Sequence, residues 1–131
     1  MLDTDMCVYI VRRSLPQVRR RFQEMRVGEV VISAITYGEL EYGAAKSNRS
    51  ESDRQKIERV VRQIPVAPLD DKAGAAYGVL RSGLERQGRM IGSNDLWIGA
   101  HALSLGLTLV TNNEREFRRI DGLSIENWAS S

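Results

Sequence analysis

The chain has 131 residues, 42% of them hydrophobic and 27% charged, with a formal net charge of +2. That is enough for one globular domain with a real core, and the charge is too mildly basic to argue nucleic-acid binding by itself. One cysteine, Cys7, excludes an internal disulfide, and no apolar run reaches bilayer length, so a membrane span is not expected.

Only Met1 and Leu2 precede Asp3, so any first strand is very short. Asp3 and Asp5 also leave no basic region before an apolar stretch, which argues against a signal peptide and for a cytoplasmic protein. Asp3-Thr4-Asp5 supplies caps for a helix from about Met6 to Arg13, in which Cys7 reads as a small buried apolar residue. Pro16 suits the first turn of a second helix, to about Met25. Val27-Gly28-Glu29 is a turn, and Val30-Val31-Ile32 a β-branched strand. A cap at Ser33 or Thr36 opens a third helix through Glu39 to about Ala45.

A polar loop from Lys46 to Ser52 leads into a helix from about Glu51 to Gln63, apolar along Ile57, Val60, Val61 and Ile64 and stopped by Pro65. Val66 to Leu69 is a short strand, and Asp70-Asp71 starts a helix to about Arg86. After a loop from Gln87 to Ser93, Asn94-Asp95 is expected to cap a helix from Leu96 to Leu105, which stops at Gly106. Leu107 to Val110 is the strongest strand. Thr111-Asn112-Asn113 turns into a short helix around Arg115 to Arg118, and Ser124 to Trp128 reads as a final edge strand. Short apolar strands alternating with helices predict one α/β domain over 1–131. Its sheet is short and mostly parallel, with four or five strands and helices on both faces.

Ligands of such sheets gather beyond the carboxyl ends of the strands. Four acids distant in sequence, Asp3, Glu39, Asp95 and Glu116, all fall where a strand meets a helix or just inside a helix. Singly, Asp3 and Asp95 read as helix caps, and Glu39 and Glu116 as solvated helix faces. Jointly they describe a carboxylate pocket that repels itself unless cations fill it. Hard divalent ions take oxygen ligands of this kind, which suggests metal-assisted phosphodiester chemistry.

Five segments in register resemble the PIN-domain ribonucleases, and more narrowly the VapC-type toxins of bacterial type II (VapBC) toxin–antitoxin pairs. They are Leu2-Asp3-Thr4, Ile32 to Gly43 around Thr36-Tyr37-Gly38-Glu39-Leu40, Ile91 to Ala102 around Asn94-Asp95-Leu96-Trp97-Ile98-Gly99-Ala100-His101, Val110 to Phe117 around Thr111-Asn112-Asn113, and Glu126-Asn127-Trp128. The resemblance implies that Asp3, Glu39, Asp95 and Glu116 are catalytic and bind metal, Mg²⁺ or Mn²⁺. Asp3 and Asp95 would be direct ligands, with Glu39 and Glu116 acting through water. Thr111 and Asn113 would be auxiliary polar residues. It further implies structured RNA substrates, tRNA prominent among them. A homodimer is expected, as is a VapB-type antitoxin through which the chain associates with operator DNA.

The chain departs from the family pattern in carrying Asp5 where an Asn is usual, which adds a fifth carboxylate with a possible auxiliary role, and in having few apolar residues before Asp3. For RNA contact the candidates are Arg12, Arg13, Arg20, Arg89 and Arg115, each equally readable as an ordinary solvated side chain. His101, the sole histidine, reads as a packing or hydrogen-bonding group. Trp97 and Trp128 read as core or interface, and Tyr37 and Tyr42 as packed at helix contacts.

Two rival readings stay open. Asp3-x-Asp5 also fits the nucleophile of a haloacid-dehalogenase-like phosphatase, although Cys7 stands where that pattern wants Thr and the three lysines, Lys46, Lys56 and Lys72, are not where its later lysine belongs. A non-catalytic PIN-like module that only binds RNA or a partner is the other.

Overall fold

A computed structural model describes residues 1–130. Helices α1 (Thr4–Arg12), α2 (Pro16–Glu24), α3 (Ala34–Lys46), α4 (Ser50–Val61), α5 (Asp71–Gln87), α6 (Ser93–Ser104) and α7 (Glu114–Phe117) alternate with four two-residue strands, β1 (Ile32–Ser33), β2 (Val66–Ala67), β3 (Leu109–Val110) and β4 (Ile125–Glu126). Among the described residues, no helix is long and apolar enough to cross a membrane.

The very short first strand is real and holds the centre. Leu2 bridges Ile32 on one side and Val110 on the other, both in parallel. Asp3 N–H donates to the Val110 carbonyl at 3.0 Å, and Val110 N–H to the Met1 carbonyl at 2.8 Å. With β1 paired to β2 and β3 paired to β4, also parallel, the spatial order is β2, β1, Leu2, β3, β4. The expected parallel α/β sheet with a C-terminal edge strand is therefore present. The chain leaves its central position in opposite directions, to β1 and later to β3, so the switch point lies beside Asp3.

Strand alternation divides the core. Leu2, Ile32 and Val110 face a cluster with Met6, Ile10, Leu40 and Ile57 from α1, α3 and α4. Their neighbours Met1, Val31 and Leu109 face the opposite cluster, with Leu84, Leu96, Ile98 and Phe117 from α5, α6 and α7. A period of two on short strands thus covers both faces with helices. Cys7 is fully buried in the first cluster, where burial and the nearby Asp3 carboxylate push its thiol pKa well up, leaving an inert packing residue.

Two expectations need correction. Helix α6 starts at Ser93 after Gly92, with no side-chain cap, so Asn94 and Asp95 are not its caps but lie in its first turn. The first-turn position leaves both side chains free to face the sheet edge. Tyr42 is not packed at a helix contact: it is 66% exposed with the Lys46 ammonium over its ring, whereas Tyr37, 37% exposed, stands beside Glu58 and Val61 of α4. The tryptophans behave as expected. Trp128 is buried and Trp97 stacks on Tyr77 with ring centroids 3.7 Å apart.

Candidate active site

The carboxyl ends of the central strands bring the predicted acids together. Asp3, Asp5, Glu39 and Asp95, with Thr4 and Asn113, line one small cleft of about 170 Å³. Glu116 joins through Asn113, whose side-chain amide donates to Glu116 Oε2 at 3.0 Å and to Asp95 Oδ2 at 3.5 Å.

Asp3 is fixed most firmly. It is the N-cap of α1, and its Oδ1 accepts from Met6 N–H at 3.0 Å. Its Oδ2 accepts from the Thr111 hydroxyl at 2.6 Å, and Thr111 Oγ1 in turn accepts from Asn113 N–H at 2.8 Å. One oxygen of Asp3 therefore caps α1, as expected, and the other meets Thr111 where Asp3 lines the cleft. Burial is the largest influence on Asp3, and the charges of Asp5 and Glu39 add to it. Together they raise its pKa to about 6 against the two hydrogen bonds, which lower it.

Glu39, on α3, is held by residues that sequence reasoning did not single out. Its Oε1 accepts from the Thr4 hydroxyl at 2.5 Å and its Oε2 from the Asn94 amide at 3.4 Å. The buried Thr36 hydroxyl lies 3.2 Å from that of Thr4. Thr4 and Thr36 are inside the segments that carried the family likeness, and that was the one signal available for them.

Asp95 is half-buried at the start of α6, where the helix dipole favours an anion. Its pKa is nonetheless raised to about 7, first by burial, then by a hydrogen bond and repulsion from Glu116, and then by Asp3 and Glu39. The cleft therefore stores unrelieved negative charge. A cation relieves it, and oxygen donors of this type suit a hard divalent ion. Among the described residues, no group of three or more His, Cys, Asp or Glu side chains is placed to hold an ion by itself. Mg²⁺-like ions keep several waters and use one or two carboxylates directly, so the donor set fits without such a group.

His101 stands apart from this chemistry. It is 1% exposed, with Nδ1 2.8 Å from the Ser33 hydroxyl. Ser33 caps α3, so the pair ties α6 to the end of β1 as a structural clamp, with burial lowering the imidazole pKa.

The arginine candidates divide. Arg12 and Arg13 line a groove of about 510 Å³ between α1, α2 and α4, together with Arg19, Lys56 and Arg59, which the sequence did not single out. Arg20, Arg89 and Arg115 are exposed and lie outside that groove.

The sequence and the fold were compared with those of known proteins. The PIN domain family matches residues 1–123. The tRNA(fMet)-specific endonuclease VapC of Shigella flexneri is 43% identical over 129 residues, covering 98% of this chain and 97% of that protein. Ribonuclease VapC2 of Haemophilus influenzae is 40% identical over 128 residues, covering 98% and 96%. Among solved structures, VapBC2 from Rickettsia felis bound to a DNA fragment from its promoter superposes with a TM-score of 0.92 at 36% identity, covering 98% of this chain and 97% of that one. DNA-bound VapBC from Salmonella typhimurium also reaches 0.92, at 39% identity and 98% and 96% coverage.

Proposed function

The chain belongs to the PIN-domain family, and from that premise we propose that it is a divalent-metal-dependent endoribonuclease, the toxin of a bacterial VapBC-type toxin–antitoxin pair. The observation that carries this reading is the meeting of Asp3, Glu39 and Asp95 in one cleft at the switch point of a parallel sheet, with Asn113 linking Glu116 to it. PIN-domain ribonucleases depend on divalent metal; for this chain we assign Mg²⁺, with Mn²⁺ as its substitute.

Asp3, held in place by Met6 N–H and Thr111, and Asp95, in the first turn of α6, would hold the ion directly. Glu39 and Glu116 act through water, and Asp5 adds charge at the rim. Such an ion, when bound, makes a water a stronger nucleophile at neutral pH and offsets charge developing on the phosphodiester. The protein's own part is preorganisation. Thr111 and Met6 N–H fix the two oxygens of Asp3, Thr4 and Asn94 fix Glu39, and Asn113 spans Asp95 and Glu116.

The substrate we propose is structured RNA, with tRNA foremost, because two relatives are named for tRNA(fMet). Loops of such RNAs expose bases that a surface cleft can reach. The chain acts in the cytoplasm as a homodimer, and a cognate VapB-type antitoxin restrains it and carries it to operator DNA. The phosphatase reading is disfavoured, since none of the three lysines lines the acid cleft. Over 98% of its residues the chain also matches relatives named as ribonucleases or endonucleases, which weakens the reading as a non-catalytic binding module. The test is cleavage of total tRNA by purified protein with Mg²⁺, Mn²⁺ or EDTA. Discrete metal-dependent fragments support the proposal, and intact tRNA in all three arms refutes it.

A further inference from the structure

The groove between α1, α2 and α4 is chemically one-sided. Five cations line it, Arg12, Arg13, Arg19, Lys56 and Arg59, and no carboxylate does. None of the five belongs to an ion pair among the described residues, whereas Arg21, Arg26, Arg54, Arg81 and Arg118 all do. The groove is also connected to the acid cleft. A middle cavity of about 260 Å³ shares Val11, Arg12 and Lys56 with the groove. The same cavity shares Thr4 and Glu39 with the acid cleft and adds one carboxylate, Asp53, and one further cation, Lys46. The concavity therefore runs along the length of α1, from acids at its N-terminus to cations at its C-terminus.

Arg13 is a third, separate observation. It is the one non-glycine residue with positive φ among the described residues, at φ 56°, and it ends α1 in the left-handed conformation. Glycine is the residue that takes this position without strain. An arginine kept there, among the residues that line the groove, at a cost in backbone energy, is the kind of outlier from which a role is inferred.

We infer that this groove is the path of the RNA strand leaving the scissile phosphate, with Arg12 and Lys56 meeting the backbone first and Arg13, Arg19 and Arg59 beyond them. This rests on the ribonuclease reading above and extends it from the cut bond to the flanking nucleotides. The pairing is electrostatic: a phosphate chain is repelled at the acid cleft except through its cation, and is attracted along the adjoining groove.

The test compares the parent with Lys56→Gln/Arg59→Gln, with Arg13→Gly, and with Arg62→Gln as a control at the C-cap of α4, outside the groove. Binding of a labelled single-stranded RNA 20-mer is read by anisotropy in EDTA across a salt series. Each groove cation removed lowers the slope of log affinity against log salt by about 0.7, so the double variant loses about 1.4 and the control stays closer to the parent. Arg13→Gly melts no lower than the parent yet binds RNA more weakly, a divergence that a purely structural arginine does not produce. With metal present, KM for long RNA rises at least fivefold in the double variant while kcat changes less than twofold. Parent-like slopes and KM in both groove variants overturn the inference. So does weakened binding of an antitoxin peptide with RNA binding unchanged, which would give the groove to a protein. A parent that binds RNA through these cations but never cleaves it would contradict the activity and leave the groove assignment standing.

Discussion

The Thr111 hydroxyl donates to Asp3 Oδ2 at 2.6 Å across 108 positions of sequence, with both residues buried. This bond joins the end of β3 to the end of the central Leu2 position, so it fixes a ligand oxygen and closes the middle of the sheet. Thr111→Val keeps the shape and removes the hydroxyl. It leaves a buried carboxylate oxygen and the Asn113 N–H without their partner, at a cost of about 1–3 kcal/mol. Metal affinity and cleavage fall by roughly 10–100-fold, the usual loss when a group supporting a metal ligand is removed. Thermal melting and a metal-dependent cleavage assay on the same samples check both effects.

The pH dependence of stability in metal-free protein follows from Asp3 near 6 and Asp95 near 7, both above their ordinary value of 3.8. Between about pH 4 and 7 the folded chain keeps protons that the unfolded chain has released. Stability conferred by these groups is therefore largest at low pH and falls as pH rises through that window. The loss is on the order of 1–2 kcal/mol, discounted because Asp95 is partly exposed. His101, with its lowered pKa, pulls the other way below about pH 6.5. Comparing the parent with Asp95→Asn isolates the carboxylates: in EDTA the variant loses less stability between pH 5 and 8. Adding Mn²⁺ at pH 8 raises the melting temperature of the parent far more than that of the variant, because ligand oxygens must be free of protons.

His101→Ala separates packing from chemistry. The substitution removes a buried ring and its partner for the Ser33 hydroxyl, which destabilises by about 2–3 kcal/mol. The acid cleft does not include His101, so kcat/KM below the melting range stays within about threefold of the parent. A loss of several hundredfold in fully folded protein would place the imidazole in the reaction.

How far the sequence could be read depended on the range of the interaction. Period-two apolar runs and caps are local, so the alternation of helices and strands was legible, as was the parallel sheet they require. Helix α6 was placed late because Gly92 offers no side-chain cap and Asn94-Asp95 imitates one. The acids were legible as positions, since each falls where a strand meets a helix or inside a helix, yet their meeting depends on the order β2, β1, Leu2, β3, β4, which no local pattern prints. Thr4, Thr36 and Asn94 act only through Glu39 and have no signature apart from it. Lys56 and Arg59 carry no local signal and become notable only when α1 and α2 close a groove against them. Tyr42 misled because aromatic residues on a helix usually pack, whereas here α3 turns it outward.

Calorimetric titration of Mn²⁺ into metal-free protein, paired with tRNA cleavage, for the parent, Asp3→Asn and Asp95→Asn at matched folding, tests most directly whether the four acids serve one ion. The expected result is saturable binding to the parent, with affinity and cleavage in each variant reduced by at least about 100-fold. Variants that are folded, bind the ion like the parent and cut RNA as fast would show that Asp3 and Asp95 are structural caps and that the chemistry lies elsewhere.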